Sequence, residues 1–181
     1  MIDYFALLDQ PRAPWLDLAA LKEIFHQKTL KEHPDAAGVG SENRYATLNE
    51  AYQVLQDPKR RLQHFLELEG AVPAQTSQAI PKQLEKIFLR IGELNQRAKV
   101  LLERVGGAST VLGRALLKPQ LIEVRKTIED LRRRVRDLAE EANRELKEID
   151  AKQIEAITEL HLRFAYLGRW SAQLDELAFH F

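Results

Sequence analysis

The chain has no cysteine among its 181 residues. Disulfides, thiolate zinc sites, cysteine-ligated iron–sulfur clusters and cysteine nucleophiles are therefore excluded, which is typical of proteins in a reducing compartment. Net charge is also absent, since 27 basic residues balance 27 acidic ones, and this argues against a general nucleic-acid or membrane binder. No stretch approaches the roughly 18 apolar residues of a membrane span, and the N-terminus does not resemble a signal peptide. We expect a soluble, cytoplasmic protein.

Catalytic and cofactor-binding motifs are missing as well. The sequence contains neither of the glycine-rich phosphate-binding patterns, so the chain itself is expected to bind no nucleotide. Its histidines show no ligand spacing and none lies beside a nucleophile motif; they are His26, His33, His64, His161 and His180. We therefore expect no metal, no cofactor and no enzymatic activity.

The chain does carry apolar residues at helical spacing, and no segment alternates with the period of a strand. An all-α fold is predicted. Near the N-terminus, Asp17 is a suitable helix cap, and Pro34 is expected to end the helix that it begins. Ser41 can cap the next helix, and Asp57-Pro58 ends that helix and begins a segment that closes at Gly70. The predicted buried residues of the two helices are Leu18, Leu21, Phe25, Leu30, Tyr45, Leu48, Tyr52 and Leu55.

Long helices are predicted after a linker at residues 71–79, which is small, polar and interrupted by Pro73. The first runs from Ile80 to Val105, and a loop from Gly106 to Pro119, with at most one turn of helix at Val111 to Leu117, follows it. Asp150 is predicted to cap the last helix. Between them lies a heptad seam, whose apolar positions are Leu121, Val124, Ile128, Leu131, Val135, Leu138, Ala142 and Ile149. Such a seam indicates a three-helix bundle over residues 80–181, with an intermolecular coiled coil as the alternative.

A tripeptide, His33-Pro34-Asp35, separates the two N-terminal helices. Four features follow one another in this part of the chain: a helix, the His-Pro-Asp loop, a helix that contains Asn49-Glu-Ala-Tyr52, and Asp57-Pro58. In this order they resemble the J domain of DnaJ-type co-chaperones, here over residues 1–70. The resemblance implies a DnaK-type ATPase chaperone as partner, with the tripeptide stimulating its ATP hydrolysis. It also implies that basic residues before the loop attract the chaperone; the candidates are Lys22, His26, Lys28 and Lys31. Lys28 stands where family members commonly have a core leucine.

The run Arg61-Leu-Gln-His-Phe-Leu-Glu-Leu-Glu-Gly70 narrows this resemblance. It is similar to a run of the HscB type, the iron–sulfur-cluster co-chaperones that work with an HscA-type chaperone, although His64 replaces the usual tyrosine. Chain length, the linker and the C-terminal bundle also match that type. The Gly/Phe-rich linker and zinc repeats of general DnaJ proteins are absent.

In the HscB type, the first bundle helix presents an IscU-type iron–sulfur scaffold to the chaperone. The resemblance implies client contacts at Leu84, Glu85, Phe88 and Leu89. Helical spacing also favours the bundle core for Leu84 and Phe88, whereas Leu89 lies off the core stripe and is expected to be exposed. The acidic character of the family's patch is missing here. An adaptor for a different client is therefore the alternative function, and the chain is expected to be a monomer or weak dimer.

The sequence has one dense basic cluster, Arg132-Arg133-Arg134 with Arg136. Acidic residues at one-turn spacing surround it, and aromatic groups that could stack on bases are not adjacent. We expect a salt-bridged solvent face of the long helix and no nucleic-acid partner.

Overall fold

The computed structural model describes residues 1–31, 41–71 and 80–181, with only the backbone for residues 41 and 42. Every regular element in these ranges is a helix, so the predicted all-α class is confirmed, with a small helical domain followed by long bundle helices. The elements are α1 (Tyr4–Leu7), α2 (Leu18–Lys31), α3 (Ser41–Gln56), α4 (Pro58–Leu68), a 3₁₀ turn (Lys82–Leu84), α5 (Glu85–Gly107), α6 (Val111–Glu148) and α7 (Ile154–His180).

Aspartate side chains begin the N-terminal helices. The Asp17 carboxylate accepts hydrogen bonds from the N–H groups of Ala19, at 2.8 Å, and Ala20, at 3.3 Å. Asp57 accepts from the Arg60 N–H at 2.8 Å, with Pro58 as the first helical residue. These bonds satisfy donors that the helix leaves free, so both predicted boundaries are confirmed.

Gly70 ends α4. Its φ of +69° lies in the left-handed region, which a residue without Cβ adopts at little cost. This turn lets the Gly70 N–H donate to the Glu67 carbonyl at 3.2 Å and the Ala71 N–H donate to the Leu66 carbonyl at 2.9 Å. The last carbonyls of α4 are thereby satisfied in a Schellman motif.

Contacts divide the chain into two compact units, Met1–Ser77 with Ala142–Leu162, and Gln78–Glu141 with Arg163–Phe181. Helices α6 and α7 thus contribute to both. The functional division into residues 1–70, 71–79 and 80–181 stays a prediction, and all of the predicted linker except Ala71 lies outside the described residues. In the described ranges, no helix has the length and apolar character that crossing a bilayer requires.

The buried face of α2 is narrower than predicted. Leu21 is fully buried and Phe25 half-buried, but Leu18 is 50% and Leu30 76% exposed. Leu30 lies nine residues after Leu21, which places it on the opposite side of the helix. Leu18 is the first helical residue. In α3 the prediction holds for the buried Leu48 and Leu55 and the half-buried Tyr52, whereas Tyr45 is 38% exposed.

The heptad seam of α6 is buried within this chain. From Val124 to Leu138 its residues join one core with α5 and α7, in which Trp170 is also buried. Farther along the helix, the next heptad position is Glu145, which is exposed. The neighbouring Leu146 is buried in its place. Because the seam is already covered by neighbouring helices, the intermolecular coiled coil is not needed to bury it.

The predicted loop from Gly106 to Pro119 is wrong. Helix α5 includes Gly106 and Gly107, and α6 begins at Val111 and continues through Pro119. The Thr110 hydroxyl accepts a hydrogen bond from the Gly113 N–H at 3.0 Å and so caps α6. Proline removes one helical hydrogen bond, and burial of Leu117 in the core offsets that loss.

Asp150 stabilises the turn before α7 and does not cap the helix itself. Its carboxylate accepts from the Lys152 N–H at 2.8 Å, and its N–H donates to the Gln153 side chain at 3.1 Å. Helix α7 begins only at Ile154, so the predicted cap is wrong by one turn.

Candidate functional site

The predicted activating tripeptide, His33-Pro34-Asp35, lies outside the described residues, and the structure describes the two helices that flank it. Helix α2 ends at Lys31 and α3 begins at Ser41. The rings of Phe25 and Tyr52 stack between them, with centroids 4.3 Å apart and planes inclined by 13°. This contact packs α2 against α3.

An open groove of about 670 Å³ lies between these helix ends and the end of α1. Apolar side chains of Leu7, Ile24 and Leu48 form part of its lining. The polar lining consists of Asp9, Gln27, Lys28, Lys31, Asn43, Arg44 and Thr47. Three of these groups are cationic and one is acidic, which gives the groove positive character.

The four predicted chaperone-binding side chains do not share one face of α2. Lys22 and His26 are one turn apart and both are exposed. Lys28 and Lys31 lie on the opposite side and line the groove. The Lys28 ammonium is 2.8 Å from the Asp9 carboxylate, so it fills the family's usual leucine position as half of an ion pair.

Arg61 connects three segments of the N-terminal unit from a buried position. Its side chain donates to the Pro14 carbonyl at 2.8 Å and to the Leu55 carbonyl at 2.6 Å. Burial lowers the pKa of Arg61 to about 10, which leaves the guanidinium charged at neutral pH. Arg61 therefore has a structural role in this unit.

His64 is also buried, at 5% exposure. Its Nε2 accepts a hydrogen bond from the Tyr4 N–H at 3.1 Å, which requires the neutral ring with its proton on Nδ1. The ring stacks on Tyr4 at a centroid distance of 4.6 Å. Burial lowers its pKa, against the opposing influence of Asp3 and Glu67.

The buried histidines make the free energy of unfolding depend on pH. Burial also lowers the pKa of His161, whose Nδ1 lies 3.1 Å from the Lys59 carbonyl. Unfolded histidine binds a proton near pH 6.5, whereas these folded rings bind one only at lower pH. The contribution of these two histidines to the free energy of unfolding is therefore fully present above about pH 6.5, and it is lost as the pH falls through the folded pKa values.

We expect a His64→Gln variant to lose less stability than the parent protein between pH 7 and pH 5. Glutamine can still accept from the Tyr4 N–H but does not titrate. Urea unfolding at both pH values measures the difference, and a variant that loses as much stability as the parent would contradict the role of His64.

The predicted client contacts include residues of the bundle core and residues of its surface. Leu84 is fully buried, whereas Leu89 is 63% exposed, and both predictions are confirmed. The core prediction for Phe88 is wrong, because its side chain is 43% exposed and only its inner edge approaches Trp170, at a centroid distance of 6.4 Å. The exposed Glu85 lies one turn before Phe88 and Leu89, so the three side chains share one face of α5.

The predicted salt-bridged face is confirmed for the arginine cluster of α6. Arg132 lies 2.6 Å from Asp175 of α7. Arg133 lies 3.6 Å from Asp130 and Arg134 3.3 Å from Glu141, both on the same helix. These arginines therefore form exposed ion pairs on the surface of the bundle.

Sequence reasoning missed Asn43 and Arg44, which line the groove opposite Lys28 and Lys31. Their position early in α3 could have indicated this, because two packed helices joined by a short loop bring the end of one beside the start of the next. It also missed Trp15, which lies under the Lys147 ammonium at 5.3 Å. The sequence gives no local signal for that contact.

Comparison with known proteins supports this geometry. Residues 3–64 match the DnaJ domain family. The chain is 30% identical over 94 residues to the mitochondrial J-type co-chaperone JAC1 of Saccharomyces cerevisiae, covering 50% of each chain. It is 36% identical over 76 residues to the co-chaperone protein HscB homolog of Pseudoalteromonas atlantica, covering 38% of this chain and 43% of the relative. The matches thus span half or less of these relatives' lengths.

Solved structures extend the likeness over nearly the whole chain. Human co-chaperone protein HscB aligns with a TM-score of 0.58 at 20% identity, over 97% of this chain and 81% of the human one. Chaperone HscB from Vibrio cholerae aligns with a TM-score of 0.56 at 19% identity, over 99% of each chain. Residues 3–64 of this chain are therefore a J domain, and the chain has the fold of the HscB co-chaperones.

Proposed function

We propose that this chain is a co-chaperone that stimulates ATP hydrolysis by a DnaK/HscA-type chaperone through His33, Pro34 and Asp35. The match of residues 3–64 to the DnaJ domain carries this proposal, because the tripeptide falls between the helices that flank the activating loop in that family. In this proposal the hydrolysis takes place on the partner chaperone.

Each member of the tripeptide has a chemistry suited to this role. Proline restricts the backbone, and an aspartate can accept charge-assisted hydrogen bonds from an arginine of the chaperone. Lys22 and His26 lie on one exposed face of α2, where Lys22 supplies a positive charge, and Lys31 extends positive charge to the groove on the other side. These charges favour encounter with an acidic chaperone surface and mainly raise the association rate.

We further propose that the client is an IscU-type iron–sulfur scaffold, bound by Glu85, Phe88 and Leu89 on α5. The likeness to HscB proteins supports this client. The exposed fractions of Phe88 and Leu89, 43% and 63%, provide an apolar contact that folding leaves uncovered. Leu84 has no part in direct contact, since it is fully buried, and it positions the start of α5.

A Phe88→Ser/Leu89→Ser variant of the full chain is expected to bind the scaffold at least about tenfold more weakly, because two apolar anchors are removed. Calorimetric titration with an IscU-type scaffold from the same source measures this. Leu30→Ser is the matched control, since Leu30 is 76% exposed on a different helix. Equal affinity of the parent and the double variant would contradict this client surface. Stimulation of the chaperone ATPase without client tests the first proposal separately.

A further inference from the structure

A second exposed apolar surface lies where α5 ends and α6 begins, away from Phe88 and Leu89 in sequence. We call it the tip surface. Its members are five aliphatic residues with exposed fractions between 52% and 88%: Val100, Val111, Leu112, Leu116 and Ile122. They are large apolar side chains on two successive helices, and exposed apolar surface of this kind marks an interaction site.

Helical geometry separates the tip surface from the core. The core-facing residues of the same turns, Leu117 and Val124, are buried at 5% and 2% exposure. At 100° per residue, Val111, Leu112, Leu116 and Ile122 fall within a single sector on the opposite side of α6. A helix that only contributes to a bundle requires one apolar face. Helix α6 has a second one here.

A groove of about 400 Å³ between α5 and α6 continues this surface. Its floor includes the buried side chains of Leu101 and Val124, and Val100 lies at its edge. Arg97 and Arg104 form its rim together with glutamines. The Arg97 guanidinium of α5 is 2.9 Å from the Glu123 carboxylate of α6, an exposed ion pair that joins the two helices.

The charged residues around the tip surface are mostly basic. Residues 96–126 contain seven basic and two acidic side chains, a net charge of +5 in a chain whose net charge is zero. The basic residues are Arg97, Lys99, Arg104, Arg114, Lys118, Arg125 and Lys126. An apolar patch with a basic border is complementary to a partner that is apolar and acidic.

We propose that the tip surface binds an acidic amphipathic helix of a partner protein, with the partner's apolar side chains on Val100, Leu112 and Leu116. A rod-shaped segment fits a groove with a recessed floor. A flat bilayer does not reach that floor, and residues 96–126 contain no aromatic side chain of the kind that anchors interfacial helices. A second copy of the same surface would bring like charges together. This binding is independent of ATPase stimulation and of the scaffold surface.

The test is selection of displayed peptides of about 16 residues, four helical turns, on the immobilised full chain. We expect enriched peptides with aliphatic residues at three- and four-residue spacing and several acidic residues. A labelled enriched peptide is then titrated by fluorescence anisotropy. A Leu112→Asp/Leu116→Asp variant is expected to bind it at least about tenfold more weakly, and Leu30→Asp, which changes another exposed leucine, is expected to bind it unchanged.

Other outcomes would overturn the proposal. Enrichment without the acidic and apolar pattern, absence of enrichment, or equal peptide binding by the double variant and the parent would each do so. Circular dichroism checks that both variants are folded. Cosedimentation of the parent but not the double variant with phosphatidylglycerol vesicles would assign the surface to a membrane. A dimer in analytical ultracentrifugation that the double variant abolishes would assign it to a second copy.

Discussion

A His33→Gln variant is expected to leave the ATPase of the DnaK/HscA-type partner at its unstimulated rate. Glutamine is close in size and keeps hydrogen-bonding groups, but it cannot carry the charge or ring of histidine. The Phe25–Tyr52 stack and the Arg61 hydrogen bonds, which stabilise the flanking helices, do not involve His33. The loss of stimulation should therefore occur without a loss of helicity.

Single-turnover ATP hydrolysis by the partner chaperone, with increasing co-chaperone, measures this effect. His180→Gln is the matched control, because His180 is an exposed histidine at the end of α7. Scaffold binding by the His33→Gln variant should equal that of the parent protein, since the proposed scaffold contacts lie on α5. Stimulation equal to that of the parent would contradict the role of the tripeptide and with it the co-chaperone function.

An Arg61→Met variant is expected to lose about 3 kcal/mol of the free energy of unfolding. Methionine matches much of the arginine's length, so the main change is the loss of two hydrogen bonds from a charged donor. The acceptors, the carbonyls of Pro14 and Leu55, belong to buried contacts of Arg61 with two other segments. Each carbonyl left without a donor carries a desolvation penalty that is larger than the net value of the original bond. Removing the buried charge offsets only part of this loss.

Urea unfolding followed by circular dichroism measures this effect. Arg60→Met is the matched control: the neighbouring side chain is exposed, and the same substitution there should change stability by less than about 0.5 kcal/mol. An Arg61→Met protein as stable as the parent would show that water satisfies both carbonyls. Arg61 holds the segment before α2. If the folded variant stimulates the ATPase less than the parent protein does, this buried group also influences the activating loop.

Much of the fold follows from local sequence signals. Aspartate caps at positions 17 and 57 begin helices because their carboxylates satisfy free N–H groups within the same turn. The heptad seam of α6 identified its core face, since the period of the helix alone decides which residues share a side. The exposure of Leu89 followed from the same argument. For the candidate site, the sequence predicted the two helices that flank the tripeptide, because the segments are contiguous in the chain, and the role of the tripeptide itself stays a prediction.

Only the tertiary structure decided which surfaces are covered. Leu30 and Phe88 carry apolar side chains on helices, yet they are 76% and 43% exposed, because the described helices cover neither side chain fully. Lys28 occupies a position suited to leucine because Asp9, distant in sequence, neutralises it. Pro119 lies within a helix because the packing of α6 outweighs its missing hydrogen bond. Local propensities of ordinary residues are worth a fraction of a kcal/mol each and a proline inside a helix costs about 3 kcal/mol, whereas each large side chain that is buried contributes about 1.5–3 kcal/mol, so the packing of several such side chains prevails where the two conflict.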